Sequence, residues 1–196
     1  MIYIAFNIKL NFISILMIRK LKYQELLQER KTCEEAIKAE KYPISVILYN
    51  VRSIYNVGSI FRTCDSALVK ELILTGYTPY PPRKEIDKTA LGATKSVIWR
   101  YENSIFDAIK QQKEKGEKIF AVELTNTRKS CFSFINNSSD FPICLIFGNE
   151  LTGIEDSILL ECDDAIEIPM FGVKHSLNVG VAVGIAIYES IRIFES

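Results

Sequence analysis

The sequence predicts an α/β fold, with a mostly parallel sheet flanked by helices. Two patterns carry that expectation. Short apolar runs of strand length recur along the chain, and segments with apolar residues at helical spacing separate them. The chain has 196 residues, 48% hydrophobic and 24% charged. That suits one domain with a real core and excludes a disordered chain.

The elements follow in order. Residues 23–41, YQELLQERKTCEEAIKAEK, read as a polar helix with Leu26, Leu27 and Ile37 as anchors. Pro43 ends it, and ISVILYN (residues 44–50) reads as a buried strand. Residues 56–70 form the next helix, with Val57, Ile60, Phe61, Cys64 and Leu68 on one face. ELILT (71–75) is a strand, and the three prolines of residues 76–88 exclude long regular structure there. A short helix around Ala90, a strand near residues 97–99 and a helix over 104–115 come next. KIFAVEL (118–124) is a strand, residues 125–140 a polar loop, and FPICLIFG (141–148) a buried strand. A short helix over 154–162 and the strand AIEIPM (165–170) lead to a final helix over 176–194, apolar nearly all round. Such a helix is expected to be buried on several sides, in a core or against a second subunit. There is no internal repeat, no low-complexity tract and no linker dividing the domain.

Residues 1–18 are strongly apolar, but Asn7, Lys9 and Asn11 interrupt the run. It makes a poor membrane span, and without a basic start or a small-residue cleavage site it makes a poor signal peptide. A translation start at Met17 is one reading of this stretch, and a native protein whose intact mass begins at Met1 would exclude it.

Formal net charge is zero. That weakens a nucleic-acid reading without removing it, because a neutral total can conceal a basic face. Cys33, Cys64, Cys131, Cys144 and Cys162 are odd in number and scattered, which suits reduced thiols in a cytoplasmic protein. His175 is the sole histidine, so no His-based metal site is expected.

Common catalytic signatures are missing. No G-x-G-x-x-G follows a strand. Gly148 and Gly153 have phosphate-loop spacing, but Ile154 stands where lysine is required. Neither a nucleophile elbow nor H-E-x-x-H occurs. Three junctions between strands and helices remain. Asn56-Val57-Gly58-Ser59-Ile60-Phe61-Arg62-Thr63 opens a helix, with Asn56 as a candidate cap and Gly58 admitting a close backbone or a phosphate. Gly148-Asn149-Glu150-Leu151-Thr152-Gly153 follows a buried strand, where two glycines imply a tight loop with exposed backbone groups. Ile168-Pro169-Met170 leads to Ser176-Leu177-Asn178-Val179, with Ser176 or Asn178 capping the last helix. Taken singly, each suits a cap or a plain turn as well as a site.

Together, and in this order, N-x-G-x-I-x-R-T, G-x-E-x-x-G and I-P-M…S-L-N-V resemble the SpoU/TrmH family of RNA ribose 2′-O-methyltransferases, in the SPOUT superfamily, over roughly residues 44–189. The resemblance implies a parallel α/β sheet with a C-terminal deep trefoil knot, S-adenosylmethionine as cofactor, a homodimer, and a tRNA or rRNA substrate. It divides the chain into an N-terminal extension, residues 1–42, and a methyltransferase domain, residues 43–196. It implies that Thr125, Gly148, Ile168 and Leu177 line the cofactor site. Arg62 matches the catalytic arginine, with Asn56, Glu150, Ser176 and Asn178 as the polar residues around it. Arginine is almost always protonated, so positioning a phosphate and the hydroxyl is an easier role for Arg62 than base catalysis.

For RNA contact the candidates are Arg83, Lys84, Lys88 and Lys95, then Arg128 and Lys129, against a plain solvated loop, with Tyr77 and Tyr80 able to stack on a splayed base or to pack on the loop itself. Two departures from the pattern stand out. Gly180 replaces a common serine, and residues 67–70 lack the glycine often found after the first motif. Two other readings compete: a SpoU-like RNA-binding or assembly protein without catalysis, and a small-molecule methyltransferase. Methyl transfer to RNA, to a metabolite or to neither separates them.

Overall fold

The structure is a computed structural model that describes residues 18–135 and 138–196. The apolar stretch before Ile18 and the alternative start at Met17 lie outside the described residues. The chain divides into two units, the first ending at Thr32 and the second running from Cys33 to Ser196.

In the first unit, helix α1 spans Tyr23–Glu29 and buries none of its residues. Arg19 and the Lys22 backbone N–H both hydrogen-bond the Glu25 carboxylate, which fixes the first turn. The single helix expected over residues 23–41 does not form. Arg30 is extended, and a separate helix α2, Cys33–Lys38, opens the second unit. Isolated helical turns are marginal without packing. The expected anchors Leu26, Leu27 and Ile37 are 47%, 46% and 45% exposed and supply none.

Among its described residues the second unit has six strands, all parallel, in the order β3-β2-β1-β5-β4-β6. These are β1 (Tyr42–Tyr49), β2 (Val69–Thr75), β3 (Trp99–Glu102), β4 (Lys118–Val122), β5 (Ile143–Phe147) and β6 (Asp164–Ile166). The apolar runs are continuous because both faces of the sheet are covered. Ile44, Val46 and Leu48 of β1 point to one core, Ile47 and Tyr49 to the other. The helices are α3 (Ile54–Ser66), α4 (Lys84–Ala90), α5 (Ile105–Glu114), α6 (Asp156–Leu159) and α7 (Val179–Phe194).

Several boundaries differ from the expectation. Helix α3 begins at Ile54 because Ser53, not Asn56, caps it: the Asn56 N–H donates to Ser53 Oγ at 3.3 Å. It stops at Ser66, and Leu68 takes a left-handed φ of 46°, so it is a turn residue rather than part of the helical face. Leucine there does what the missing glycine would do more cheaply. Strand β3 lies a little later than residues 97–99, and β6 ends at Ile166, well short of Met170. Pro169 has no N–H to offer a ladder. Helix α6 is shorter than expected, at Asp156–Leu159.

Helix α3 buries Val57, Ile60, Phe61 and Cys64 and packs on α4 and α7. Gly58 is the contact point: a Cβ there would overlap Thr89 Oγ1 and the Ile86 carbonyl oxygen of α4. Helix α7 buries Val183, Ala186, Ile187 and Ser190, but Val181 and Tyr188 are each 51% exposed. Within one chain it is therefore covered on one side only. Cys64, Cys131 and Cys144 are buried, Cys162 is half-buried and Cys33 is exposed, and all five are free. Among the described residues no helix is long and apolar enough to cross a membrane.

The α3–α4 contact generates a prediction. Gly58→Ala is expected to cost on the order of 1–3 kcal/mol of stability, since the added methyl displaces the α4 backbone. In urea unfolding the midpoint should fall with the slope unchanged; an unchanged or raised midpoint would show that α4 gives way freely.

Candidate active site

In an open parallel sheet, the carboxyl ends of the strands share one edge, and loops there meet whatever the protein binds. Strand β5 ends at Phe147, and the chain folds back on itself. The Asn149 and Gly153 backbones exchange N–H···O bonds of 3.2 and 2.9 Å. A Cβ on Gly148 would lie 2.5 Å from the Gly153 carbonyl carbon and oxygen, so this position admits only glycine. The Asn149 side chain closes the loop from inside. Its Oδ1 accepts from the N–H groups of Leu151 and Thr152 at 2.8 and 3.1 Å, and its Nδ2 donates to the Asn50 carbonyl at 2.8 Å.

Glu150 then turns toward the start of α3. Its carboxylate accepts the Arg52 N–H at 2.9 Å, the Ser53 N–H at 3.1 Å and Asn56 Nδ2 at 3.1 Å. Asn56 Oδ1 in turn accepts from Asn178 Nδ2 at 3.1 Å, and Asn178 Oδ1 accepts the Gly180 N–H at 2.9 Å. Asn178 is thus the cap of α7, and Ser176 is not. Glycine at position 180 keeps this approach open, since a Cβ would sit 3.2 Å from Asn178 Oδ1. Partial burial pushes the Glu150 carboxyl up, but the backbone N–H groups of Arg52, Glu150 and Ser53, with the Asn56 amide, outweigh it. The net effect holds the carboxyl below its ordinary value.

Beside this chain of polar groups lies a cavity of about 220 Å³. The ends of β4, β5 and β6 and the start of α7 form its walls. Gly148, Ile168 and Leu177 line it, together with Glu150 and Ser176. Leu124, Val179 and Ala182 add apolar surface. Thr125 is not in this cavity: it borders a neighbouring depression with Thr127, Asp156 and Asp164, and its hydroxyl lies 2.8 Å from that of Thr127. Three lining residues escaped the sequence reading. Glu123 accepts the N–H groups of Leu124 and Ile154 at 2.8 and 3.0 Å, tying the loop after β4 to the loop after β5. Asn149 stood unremarked between two motif residues, although an amide beside a strand-ending glycine was a usable signal. Glu167 holds a buried Oε2 with no hydrogen bond, 3.7 Å from an Arg128 guanidinium nitrogen.

Arg62 stands apart. It is exposed on α3 and lines a second groove with Ser59, Thr63, Ser66, Lys88, Thr89, Leu91 and Tyr188. That groove carries two cations and no carboxylate. Arg83, Lys84 and Lys95 are exposed nearby in sequence, around α4. Arg128 faces Glu167, and Lys129 pairs with Asp164, so both already have anionic partners. Tyr80 packs on Tyr101 with ring centroids 4.4 Å apart, while the Tyr77 hydroxyl oxygen accepts from Asn149 Nδ2 at 2.6 Å.

A parallel sheet with backbone-rich loops gathered over one cavity defines an α/β protein that holds its ligand at the carboxyl edge. Residues 43–188 match the SpoU rRNA Methylase family, and the chain belongs to it. The chain is 31% identical over 163 residues to a tRNA (guanosine(18)-2′-O)-methyltransferase of Thermus thermophilus, covering 83% of this chain and 81% of that one. It is 30% identical over 173 residues to the enzyme of the same description from Aquifex aeolicus, covering 88% and 80%. Among solved structures it resembles the A. aeolicus TrmH/SpoU tRNA modifying enzyme with a TM-score of 0.71 and 27% identity, over 86% of this chain and 82% of that one. An AdoMet-bound rRNA methyltransferase from Sinorhizobium meliloti superposes with a TM-score of 0.72 and 28% identity, over 83% and 61%.

The Glu150 geometry sets an acid limb to stability. A carboxyl held low in the folded state contributes stability above its unfolded value, and loses it as pH falls from the ordinary 4.5 through the lowered one. Glu150→Gln is expected to lose this component, so its urea midpoint should fall less than the wild type's between about pH 6 and about pH 3. Parallel acid limbs for the two proteins would show that Glu150 does not hold the junction.

Proposed function

We propose that this protein is an S-adenosylmethionine-dependent RNA methyltransferase that acts on a ribose 2′-hydroxyl of tRNA or rRNA. The observation that carries the reading is the Glu150–Asn56–Asn178 chain. It draws three distant motifs together beside a cavity whose walls are apolar side chains and backbone. Both the fold and the named relatives agree with it.

The cavity suits a sulfonium nucleoside. Leu124, Ile168, Leu177, Val179 and Ala182 offer apolar walls, and Glu167 brings a carboxylate whose Oε2 has no hydrogen bond. Gly148, Ile168 and Leu177 would hold the cofactor, with Leu124 taking the position expected of Thr125. When bound, S-adenosylmethionine supplies a methyl group already activated on sulfur. The chain's own task would be to place the ribose hydroxyl against that methyl group and to let the hydroxyl proton pass to solvent. Glu150, Asn56 and Asn178 are positioning residues for the loops that frame this reaction.

Arg62 and Lys88 form the phosphate-binding part of the site. Guanidinium geometry matches a phosphate, and no carboxylate in that groove competes for it. In one chain the groove and the cavity are separate surfaces, so the bound RNA, or a second copy, has to bring them to one substrate. Arg83, Lys84 and Lys95 extend the cationic surface, whereas Arg128 is engaged by Glu167.

A homodimer fits the half-covered α7, whose Val181 and Tyr188 lie exposed seven residues apart on one face. The trefoil knot fits the path of the chain. Residue 167 pairs with residues 129–131 at the sheet edge, yet α7 then packs on α3 and β1 near the middle. Free thiols and an RNA substrate fit the cytoplasm.

The first test compares nucleosides, by mass spectrometry, from RNA of cells with and without the gene. One 2′-O-methylated nucleoside should vanish, return with the wild type and stay absent with Arg62→Ala. In vitro, Arg62→Ala is expected to slow methyl transfer by at least about 100-fold with cofactor binding retained. Near-native transfer by Arg62→Lys would refute both roles for Arg62. An unchanged nucleoside profile with cofactor binding intact would favour the non-catalytic or small-molecule reading.

For the dimer, the measurement is mass in solution by light scattering. The wild type should run at about twice 22.4 kDa and Val181→Asp at the single-chain mass. A monomeric wild type would exclude this interface.

A further inference from the structure

We propose that the ring of Tyr77 is a stacking platform for an unpaired base of the substrate RNA, beside the nucleotide that receives the methyl group. This deepens the RNA reading of the site and rests on it.

Tyr77 follows β2, on the carboxyl edge of the sheet, and is 60% exposed. Exposure alone would be unremarkable, but this side chain is held at both ends. Its backbone N–H donates to Asn50 Oδ1 at 3.0 Å, and its hydroxyl oxygen accepts from Asn149 Nδ2 at 2.6 Å. The turn beneath it is fixed too, with left-handed φ values of 55° at Asn50 and 62° at Gly76. The ring is therefore presented to solvent in one orientation rather than left to wander.

Tyr80, three residues on, shows what the alternative looks like. Its ring lies against Tyr101, whose hydroxyl donates to the Gly76 carbonyl at 2.7 Å. Tyr77 has no ring–ring contact among the described residues. Its anchor matters as much as its exposure. Asn149 lines the cavity, and the next residue, Glu150, holds the start of α3 and Asn56. The platform is thus one hydrogen bond from the loop that frames the reaction. Arg83 and Lys84 lie exposed further along the same segment, which suits a strand of phosphates continuing past the stacked base.

Proteins that read unpaired RNA splay bases onto aromatic faces, and a ring fixed before binding gives up less freedom when a base lands on it. Stacking accepts any base, so it would position the target nucleotide without choosing its sequence.

The experiment measures initial rates of methyl transfer by the full chain against the concentration of unfractionated tRNA from cells lacking the gene. Cofactor affinity and melting temperature are measured alongside. Tyr77→Ala is expected to raise KM for tRNA about tenfold, with cofactor affinity and melting temperature unchanged. Tyr77→Phe and Tyr77→Trp should recover most of that loss, because they keep a stacking face, with a smaller residual rise in KM from the lost bond to Asn149. A loss in Tyr77→Phe equal to that in Tyr77→Ala would overturn the proposal, since the hydroxyl bond and not the ring would then matter. An unchanged KM in Tyr77→Ala would also overturn it. Absence of transfer to tRNA and to an rRNA control by the wild type would overturn the RNA reading of the whole site, and is seen before any variant is compared.

Discussion

The Glu150 carboxylate is the interaction on which the rest of the site depends. The edge of a parallel sheet is a row of chain ends, each followed by its own loop, and nothing in a sheet ladder fixes those loops to one another. Glu150 does so with two oxygens. It takes two backbone N–H groups from the turn after β1 and the Asn56 amide from the first turn of α3. Asn56 passes the restraint on to Asn178 at the head of α7. Three loops thereby behave as one surface. Asn149 and Glu123 serve the same end from the other side, one binding the β5 loop to the end of β1 and the other binding it to β4. The polar residues here are mostly occupied with one another, and the cavity is left to apolar side chains and backbone.

Charge is sorted rather than scarce. The formal total is zero. Yet Lys70, Arg100 and Lys115 lie at the buried Glu117 and the half-buried Glu71, and Lys118, Lys129 and Arg192 each have an acidic partner. Among the described residues Arg62, Arg83, Lys84 and Lys88 form no ion pair. These four cations are left on the α3–α4 side, where Glu85 and Asp87 of α4 offset part of their charge, while the molecule as a whole stays neutral. Balance of totals says little about where a polyanion would settle.

The sheet was legible in the sequence because buried parallel strands are continuous apolar runs, and β1, β2, β4 and β5 each fall on one. Helix ends were less so. Which residue caps α3 turned on a choice between Ser53 and Asn56 that composition does not make. The helix expected over residues 23–41 broke because its leucines found nothing to pack against. Of the site, the resemblance supplied Asn56, Glu150 and Asn178, but not their contacts. Asn56 and Glu150 are 94 residues apart, and Asn56 and Asn178 are 122 apart. Only the adjacency of β1 and β5 in the sheet brings them within reach. Thr125 borders the neighbouring depression while Leu124 lines the cavity, since β4 ends at Val122 and the loop turns there. The resemblance set Asn56, Glu150, Ser176 and Asn178 around Arg62, yet helical geometry sends Arg62 to a groove lined by none of them.

The hydrogen-bonded chain from Glu150 to Gly180 also constrains how this protein can change over generations. Each member satisfies the next, so a replacement at one position leaves unmet donors or acceptors at two others. Substitutions along it should be strongly epistatic: singly harmful, jointly less so, and seldom reached by one step. Arg83 and Lys84, without such partners, can vary alone. A lineage of such proteins would thus keep this edge of the sheet fixed while its cationic rim drifts, which is one physical route by which a single scaffold acquires many targets.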